Sequence, residues 1–382
     1  MFGYDLKLLI PAAMNRTYLN AATLGPTPGT ALAAAAASEL EWVEAGPGQH
    51  AHYLNAKEGV RRFAARVETL MPGGIVSVTE NSSESLLRVL WGIAFQPGDE
   101  IITTDHEHGA VVLALSSLMR RFELKLHVVS VDDRRGMLAQ VRERMNARTR
   151  LAVISHVSYL TGWELPVSQV AEIVQRWPGC RLLVDGAQAL GNIIVNPEQL
   201  GADFYVFCGH KWMMAPAGWA GLWVRKLRRA ELTTRWPLDS YQTQVSDLEK
   251  GPFPHYSDSG ENLEYGTRAW PRVTAWSITW DYFEEEGFAH QAQYQQELAY
   301  HARERLNEVK GLEVQDPPSS ELGSTALITV TCHQIGSGLA DWLLERDVLA
   351  NAQAARHGVR IAWALFNTEE DIERLLEAVQ SL

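Results

Sequence analysis

Residues 181–190 read RLLVDGAQAL, and residues 203–226 read DFYVFCGHKWMMAPAGWAGLWVRK. Each segment contains a short apolar run, at 182–184 and at 204–207, that stops abruptly at polar residues and glycine. Uninterrupted apolar runs of this kind are typical of buried strands in a parallel sheet. Because ligands of open α/β sheets bind beyond the carboxyl ends of the strands, we expect the functional site where these two strands end.

Two charged side chains follow these strands. Asp185 ends the first strand, and Lys211 follows the second, with His210 beside it. Taken singly, an aspartate after a strand is usually a turn or cap residue, and a lone lysine is usually solvated. Together, a carboxylate and an amine at neighbouring strand ends suit pyridoxal phosphate, which needs an acid at its ring nitrogen and a lysine for a Schiff base. The pair therefore predicts this cofactor.

Length and composition indicate a globular enzyme with room for two domains. The chain has 382 residues, of which 46% are hydrophobic and 21% are charged. Its net charge of -12 disfavours nucleic acid and anionic membranes as partners. Its three scattered cysteines do not suggest a disulfide framework. Because we find neither a signal-peptide pattern nor an apolar window of about 20 residues, we expect a cytoplasmic protein.

Strand and helix patterns alternate along the chain, which predicts an α/β fold. We expect helices at 32–45, 55–71, 138–145, 338–346 and from about 367 to the C-terminal end, and a long helical stretch at 271–310. We expect strands at 75–79, 101–105, 124–131, 151–155 and 326–331, and near Val348 and Val359. The irregular stretch 226–258 is predicted to be a long loop over the pocket.

A turn rich in serine precedes one of the predicted helices. Asn81, with Glu84 three residues later, is a helix-start signal, and Ser82 and Ser83 lie in the first turn. A helix N-terminus presents free N–H groups and a positive dipole end, which suits a phosphate. The alternative is that the serines only cap the helix.

Two H-x-H patterns raise the question of a metal site. They are formed by His50 with His52 and by His106 with His108. Zinc sites usually add further cysteine or histidine at defined spacing, and none follows here. We therefore predict no metal, and we interpret His50 and His52 as loop histidines near the pocket.

The sequence D-G-A-Q at 185–188, followed by G-H-K at 209–211, resembles the signature of the class V aminotransferase family, in the branch that contains the cysteine desulfurases. The resemblance runs over about 18–382. It implies a fold type I pyridoxal phosphate enzyme, with a large doubly wound domain built on a mixed seven-stranded sheet at 16–265. Residues 1–15 and 266–382 would form a small α/β domain with the N-terminal segment. It also implies a homodimer.

The resemblance further implies roles for individual residues. Asp185 would hold the ring nitrogen, Lys211 would carry the cofactor as an internal aldimine, and His108, within E-H-x-A-V at 107–111, would stack on the ring. The other residues implied to lie around the cofactor are Ser82, Ser83, Tyr159, Ala187, Gln188, Cys208 and His210. Tyr159 stands where desulfurases have an asparagine, and Cys208 stands where relatives have a serine or threonine that donates to the phosphate.

Three more residues are implied outside the strand ends. Thr267, within E-Y-G-T at 264–267, would reach the phosphate of the partner subunit's cofactor. Arg360, on an apolar strand, would bind the substrate carboxylate, with an internal salt bridge as the alternative. Asn20 is a candidate for substrate binding, because its segment would run over the mouth of the active site.

The family leaves the reaction open. Desulfurases need a nucleophilic cysteine shortly before the carboxylate-binding arginine, and residues 348–357 contain none. The pattern, including V-L-W-G at 89–92 and G-H-K-W with a following P-A-G, is closest to the cyst(e)ine C–S lyases, which release pyruvate and ammonia. We therefore expect a β-lyase acting on cysteine, cystine or a cysteine conjugate through the Lys211 aldimine and Cα deprotonation. A class V aminotransferase or epimerase acting on another amino acid is the alternative, followed by a desulfurase and a non-catalytic sulfur-transfer partner.

Overall fold

The structure is a computed structural model that describes residues 3–132, 136–233, 246, 249, 263–264, 266–380 and 382. Its α-helices are α1 (Tyr4–Lys7), α2 (Pro11–Asn15), α3 (Gly29–Glu44), α4 (His50–Leu70), α5 (Ser82–Leu90), α6 (Gly109–Phe122), α7 (Met137–Arg144), α8 (Val167–Val174), α9 (Val273–Glu286), α10 (Phe288–Asn307), α11 (Leu339–Leu344) and α12 (Glu369–Val379). Its strands are β1 (Thr17–Tyr18), β2 (Gly74–Thr79), β3 (Glu100–Thr104), β4 (Lys125–Val129), β5 (Thr149–Ser155), β6 (Trp163–Glu164), β7 (Arg181–Asp185), β8 (Phe204–Cys208), β9 (Ala220–Arg225), β10 (Leu312–Val314), β11 (Gly323–Ser324), β12 (Leu327–Cys332), β13 (Val348–Leu349), β14 (Asn351–Gln353) and β15 (Gly358–Ala362).

A seven-stranded sheet forms the larger core, in the order β2-β9-β8-β7-β5-β3-β4. Strands β8, β7, β5, β3 and β4 run parallel, whereas β9 is antiparallel to both of its neighbours. Alternate residues of β7 pack into opposite layers: Leu183 joins α5 and α6, whereas Leu182 and Val184 join the layer that contains α4 and α8. Burial on both faces explains the continuous apolar runs. The predicted doubly wound, mixed seven-stranded sheet is confirmed.

A second sheet, with four antiparallel strands in the order β10-β12-β15-β14, lies in the C-terminal part of the chain. Helices α10 and α11 pack on it. The N-terminal segment joins this part, because β1 pairs in parallel with β13 and the Ala362 amide donates to the Leu19 carbonyl at 2.9 Å. The division into 16–265 and the remainder stays a prediction.

Some predicted elements differ from the observed ones. The stretch 271–310 contains two helices, α9 and α10, because Gly287 lies between them at a φ of 83°. His50 and His52 lie in the first turn of α4 and not in a loop, so that interpretation is wrong. Of the predicted loop, Lys226–Glu231 forms a 3-10 helix, and most of the remainder lies outside the described residues. Within the described ranges, no helix is both long and apolar enough to cross a membrane.

Candidate active site

A cavity of about 250 Å³ lies at the carboxyl ends of β5 and β7, beside the N-termini of α5 and α6. Most of the predicted site residues line it, namely Ser82, Ser83, His108, Tyr159, Asp185, Ala187, Gln188, His210 and Lys211. Further lining residues that we did not predict for the site are Thr23, Leu86, Ala110, Ser155 and Val157. Asn81, predicted only as a helix cap, also lines the cavity. The position predicted from the two central strands is therefore the position of this cavity.

A second cleft, of about 460 Å³, lies between the N-terminal segment and α12 and contains none of the predicted site residues. Its lining includes Arg16, Arg346 and Arg374. We assign the chemistry to the smaller cavity, because the acid, amine and helix N-termini converge there.

Asp185 is the last residue of β7, and its side chain is buried. Its Oδ1 accepts a hydrogen bond from the Ala187 amide at 3.0 Å, which holds the carboxylate at the start of the turn. The neighbouring strand β5 places Ser155 directly opposite Asp185 in the register. The acid therefore lies at the edge of the sheet, as the sequence predicts.

The turn after β8 presents Lys211 to the cavity and is held by the N-terminal segment. The Gly25 amide donates to the His210 carbonyl at 2.8 Å, and the Met214 amide donates to the Lys211 carbonyl at 3.0 Å. A Cβ atom on Gly25 would lie 1.9 Å from the Lys211 carbonyl oxygen. Only glycine permits this close approach, and the sequence offered no local signal for it beyond the glycine itself.

Gln188 has structural partners for both ends of its amide. Its Nε2 donates to the Ala22 carbonyl at 2.8 Å, and its Oε1 accepts from the Trp212 indole at 2.9 Å. These bonds fix the side chain at the cavity wall and also join the N-terminal segment to the Lys211 turn.

His108 caps α6 and lies beside Tyr159. Its Nδ1 accepts from the Ala110 amide at 3.2 Å, and its ring meets the Tyr159 ring edge to face, with centroids 5.1 Å apart. Burial, followed by the charge of Lys211, lowers the pKa of His108 below its ordinary value. The imidazole is therefore neutral at pH 7, with its remaining proton on Nε2.

The N-terminus of α5 forms the end of the cavity that suits a phosphate. The Asn81 side chain accepts from the Glu84 amide at 2.9 Å and caps the helix, as predicted. Ser82 and Ser83 follow it along the lining. Burial, followed by the charge of Lys211, lowers the pKa of His210 to about 4, so this imidazole is also neutral. Its buried Nδ1 has no hydrogen-bond partner within the described part of the chain.

Arg360 lies on β15 and is held by two neutral oxygens. It donates to the Tyr159 carbonyl at 2.8 Å and to the Thr23 hydroxyl at 2.7 Å. No carboxylate of the described residues pairs with Arg360, so they do not support the salt-bridge alternative, and its buried Nε lacks a partner among them. Burial lowers the pKa of Arg360 to about 10, which leaves the guanidinium charged at neutral pH.

Four predicted residues do not line the cavity, and Arg360 is one of them, although its partners Thr23 and Tyr159 do. The Cys208 thiol donates to the Ala187 carbonyl at 3.4 Å instead of facing the phosphate end, and burial raises its pKa to about 11. Asn20 does not line the cavity, whereas Thr23, three residues later in the same segment, does. The buried Oδ1 of Asn20 has no hydrogen-bond partner in the described ranges. Thr267 is exposed to solvent outside the cavity. The roles of these residues stay predictions.

The residues present fit pyridoxal phosphate. A helix N-terminus with two serines suits the phosphate, a buried carboxylate suits a protonated ring nitrogen, and an amine side chain lies on the same lining. The unpartnered His210 Nδ1 provides a further polar atom for a ligand. Among the described residues, no group of three or more His, Cys, Asp or Glu side chains could hold a metal ion.

Comparisons with known proteins agree with the observed fold and indicate a family for the chain. The family model described as aminotransferase class-V matches residues 27–375. A probable cysteine desulfurase of Mycolicibacterium paratuberculosis is 29% identical over 78% of this chain, which spans 44% of that relative. The cysteine desulfurase of Haloferax volcanii is 26% identical over 80% of this chain and 74% of its own length. The solved structure of the cystine C–S lyase C-DES, in complex with its product cysteine persulfide, aligns with a TM-score of 0.87 at 24% identity, over 98% of this chain and 99% of that one.

Proposed function

The protein belongs to the aminotransferase class-V family and is a pyridoxal phosphate-dependent enzyme, and on that premise we propose that it is a C–S β-lyase. Its substrate would be cysteine, cystine or a cysteine conjugate, and its products would be pyruvate and ammonia. The desulfurase name of the sequence relatives supports a cysteine-type substrate. The similarity in fold to a cystine C–S lyase is compatible with the proposed reaction.

The observation that carries the proposal is the absence of a cysteine from the described lining of the cavity. A desulfurase transfers sulfur to its own thiolate, so a cysteine must reach the substrate. Cys180 precedes β7, Cys208 is bonded to the Ala187 carbonyl, and Cys332 ends β12 at the pairing with Leu312. All three cysteines are buried, and the stretch 348–357 contains none.

The acidity of these thiols supports the same conclusion. Burial raises the pKa of Cys180 to about 12 and that of Cys208 to about 11. Both residues are therefore thiols and not thiolates at neutral pH. A protonated thiol is a poor nucleophile toward sulfur, and a β-lyase does not require one.

The polar residues of the cavity supply what a β-elimination needs from the protein. When bound, pyridoxal phosphate supplies an aldehyde for an amine and a ring that withdraws electrons from Cα. Asp185 would hold the proton on the ring nitrogen of the bound cofactor, and Lys211 has the amine that would remove the Cα proton. His108, which is neutral, would lie against the ring and has Nε2–H available as a donor.

Arg360 is the residue proposed to bind the substrate carboxylate. Thr23 and the Tyr159 carbonyl orient its guanidinium but leave further N–H groups for a ligand, including Nε. Because the described residues give it no acidic partner, an incoming carboxylate would neutralise a buried charge. Such a pair is stronger than a neutral hydrogen bond and directs the Cα bonds of the substrate.

We extend the proposal to a homodimer in which Thr267 reaches the phosphate of the partner subunit's cofactor. Its exposed position outside the cavity is compatible with that role. A cytoplasmic location remains part of the proposal, and the three free cysteines are compatible with a reducing compartment.

The products formed from defined substrates test the function. The holoenzyme is incubated with L-cystine, with L-cysteine and with a cysteine S-conjugate, while pyruvate, ammonia, alanine and keto acids are measured. We expect pyruvate and ammonia in equal amounts, and we expect Lys211→Ala to reduce turnover by roughly a thousandfold or more. Alanine as the main product would favour a desulfurase. Keto acid formation that requires an amino acceptor would favour an aminotransferase.

A further inference from the structure

A buried glutamate behind the cavity wall has no part in the proposed reaction. Glu107 follows β3 and precedes His108, and its side chain is 5% exposed. It is absent from the cavity lining, so it does not act on a ligand directly. A buried carboxyl group is costly unless its oxygens are satisfied, which raises the question of what retains it here.

Hydrogen bonds connect the Glu107 carboxyl group to the ends of two strands. Oε1 accepts from the Thr104 hydroxyl of β3 at 2.7 Å and from the Ser155 amide of β5 at 2.9 Å. Oε2 accepts from the Ser155 hydroxyl at 2.8 Å. One side chain thus joins the carboxyl ends of β3 and β5.

The residues on either side of this connection belong to the cofactor site. Ser155 lines the cavity and lies opposite Asp185 in the strand register. His108, the next residue after Glu107, caps α6. Displacement of the Glu107 side chain would therefore shift both Ser155, beside Asp185, and the residue that caps α6.

We propose that Glu107 is a positioning residue of the cofactor site: it ties Thr104 to Ser155 and thereby fixes the cavity wall beside Asp185 and the start of the helix that His108 caps. The inference concerns cofactor binding and does not depend on which substrate bond is cleaved. Failure of the lyase proposal would leave it standing.

The pKa of Glu107 is a second property of this side chain, and it can be measured separately from its hydrogen bonds. Burial, opposed by its hydrogen bonds and assisted by the charge of Asp185 on β7, raises the pKa of Glu107 to about 7. The other titratable groups nearby are His106 and His108 on its own segment and His156, which follows Ser155 on β5. The charges of Lys211 and Arg360 lower the pKa of His108, and the charge of Asp185 raises it.

Glu107→Gln and Glu107→Ala separate position from charge. Glutamine can accept from Thr104 and from the Ser155 amide and can donate to the Ser155 hydroxyl, so it preserves the connection, whereas alanine removes it. We expect the pyridoxal phosphate Kd, measured by titrating the cofactor-free protein, to rise about tenfold in Glu107→Ala and less than about threefold in Glu107→Gln. The visible circular dichroism of the bound cofactor should fall in the alanine variant only. Glu143→Gln, on the exposed surface of α7, is the matched control.

Thr104→Val provides a second test of this connection. Thr104 is buried and does not line the cavity; its hydroxyl donates to Glu107 at 2.7 Å and accepts from the His106 amide at 3.3 Å, so the Glu107→Ala background is needed to show which contact carries the effect. We expect Thr104→Val to weaken binding in the wild-type background and to have no further effect in Glu107→Ala. If Glu107→Ala does not fold, Glu107→Asp replaces it, because the shorter aspartate side chain cannot reach Thr104 and Ser155 together. Equal Kd values and dichroism in the alanine, glutamine and wild-type proteins would overturn the proposal.

The pH dependence of stability tests the burial of the carboxyl group without using activity. A raised pKa in the folded state gives a stabilisation that is complete below the unfolded pKa of 4.5 and is lost as the pH rises through about 7. Between pH 5 and pH 8, the folding equilibrium constant of the cofactor-free wild type should fall relative to that of Glu107→Gln, on the order of a hundredfold. Glu143→Gln should follow the wild type. A pH-independent ratio between wild type and Glu107→Gln would contradict the buried position on which the proposal rests.

Discussion

The seven-stranded sheet and the four-stranded sheet carry the proposed site residues in different ways. The larger sheet supplies Asp185 and Lys211 from residues at or just after strand ends. The smaller sheet carries Arg360, the residue proposed to bind the substrate, in the middle of β15, where Thr23 and the Tyr159 carbonyl hold it. The carboxyl ends of parallel strands lie at one edge of the sheet. Functional side chains that follow such strands can therefore be recognised in the sequence. A mid-strand arginine acquires a role only from neighbours that lie 201 and 337 positions away.

Of the substitutions that test this comparison, the one at the end of β7 should have the largest effect. Asp185→Asn should retain the fold, because an amide oxygen can still accept from the Ala187 amide. It should lower kcat by roughly a hundredfold or more, since an amide cannot hold the ring nitrogen protonated as a carboxylate does. Steady-state kinetics and the visible spectrum of the bound cofactor measure the change.

Asp203→Asn is the matched control for this substitution. Asp203 precedes β8 at the opposite end of the same sheet, where it accepts from the Leu182 amide at 2.9 Å and from Arg228 at 2.8 Å. We expect this variant to lose about 1–3 kcal/mol of unfolding free energy while its kcat stays near that of the wild type. A similar loss of kcat in both variants would show that the Asp185 effect arises from damage to the sheet.

Arg360 should show a smaller effect that is limited to the substrate. Lysine cannot reproduce the planar, two-pronged geometry of a guanidinium, so Arg360→Lys should lower kcat/KM by about tenfold and leave the cofactor spectrum unchanged. Thr23→Val, which removes one orienting bond, should lower kcat/KM by less. Reduced thermal stability with unchanged kinetics would mean that Arg360 serves the packing of the small sheet.

The contrast between strand-end residues and residues with distant partners also explains which parts of the fold and the site could be predicted from the sequence. The α/β alternation, the α5 cap and the cavity lining at Asp185 and Lys211 follow from local patterns of apolar runs, caps and strand ends, whereas the mixed seven-stranded sheet was expected only from the resemblance to a family. Thr23 and Gly25 could not be found in this way, because each acts through contacts with distant parts of the chain. The sequence also did not show which way the Cys208 side chain points. Side chains alternate between the two faces of a strand, and the Cys208 thiol bonds to the Ala187 carbonyl.

Glu107 lies between these extremes. Its position beside His108 was visible in the E-H-x-A-V pattern, but its bonds to Thr104 and Ser155 depend on the alignment of β3 with β5. Side chains that act on the ligand are therefore easier to predict from sequence than the buried side chains that hold them.

The smallest expected effect is on the cysteines, and it bears most directly on the reaction. Removing a desulfurase's nucleophilic thiol stops turnover, whereas a β-lyase only expels the sulfur group and consumes no enzyme thiol. Because none of the three buried cysteines lines the described cavity, we expect the triple variant Cys180→Ser, Cys208→Ser, Cys332→Ser to keep its activity within about threefold, provided that it folds. Circular dichroism checks the fold, and pyruvate formation from a cysteine-type substrate measures the activity. A loss of turnover that a single Cys332→Ser variant reproduces, with alanine as the product of the wild type, would place the protein among the desulfurases despite the distance of that thiol from the cavity.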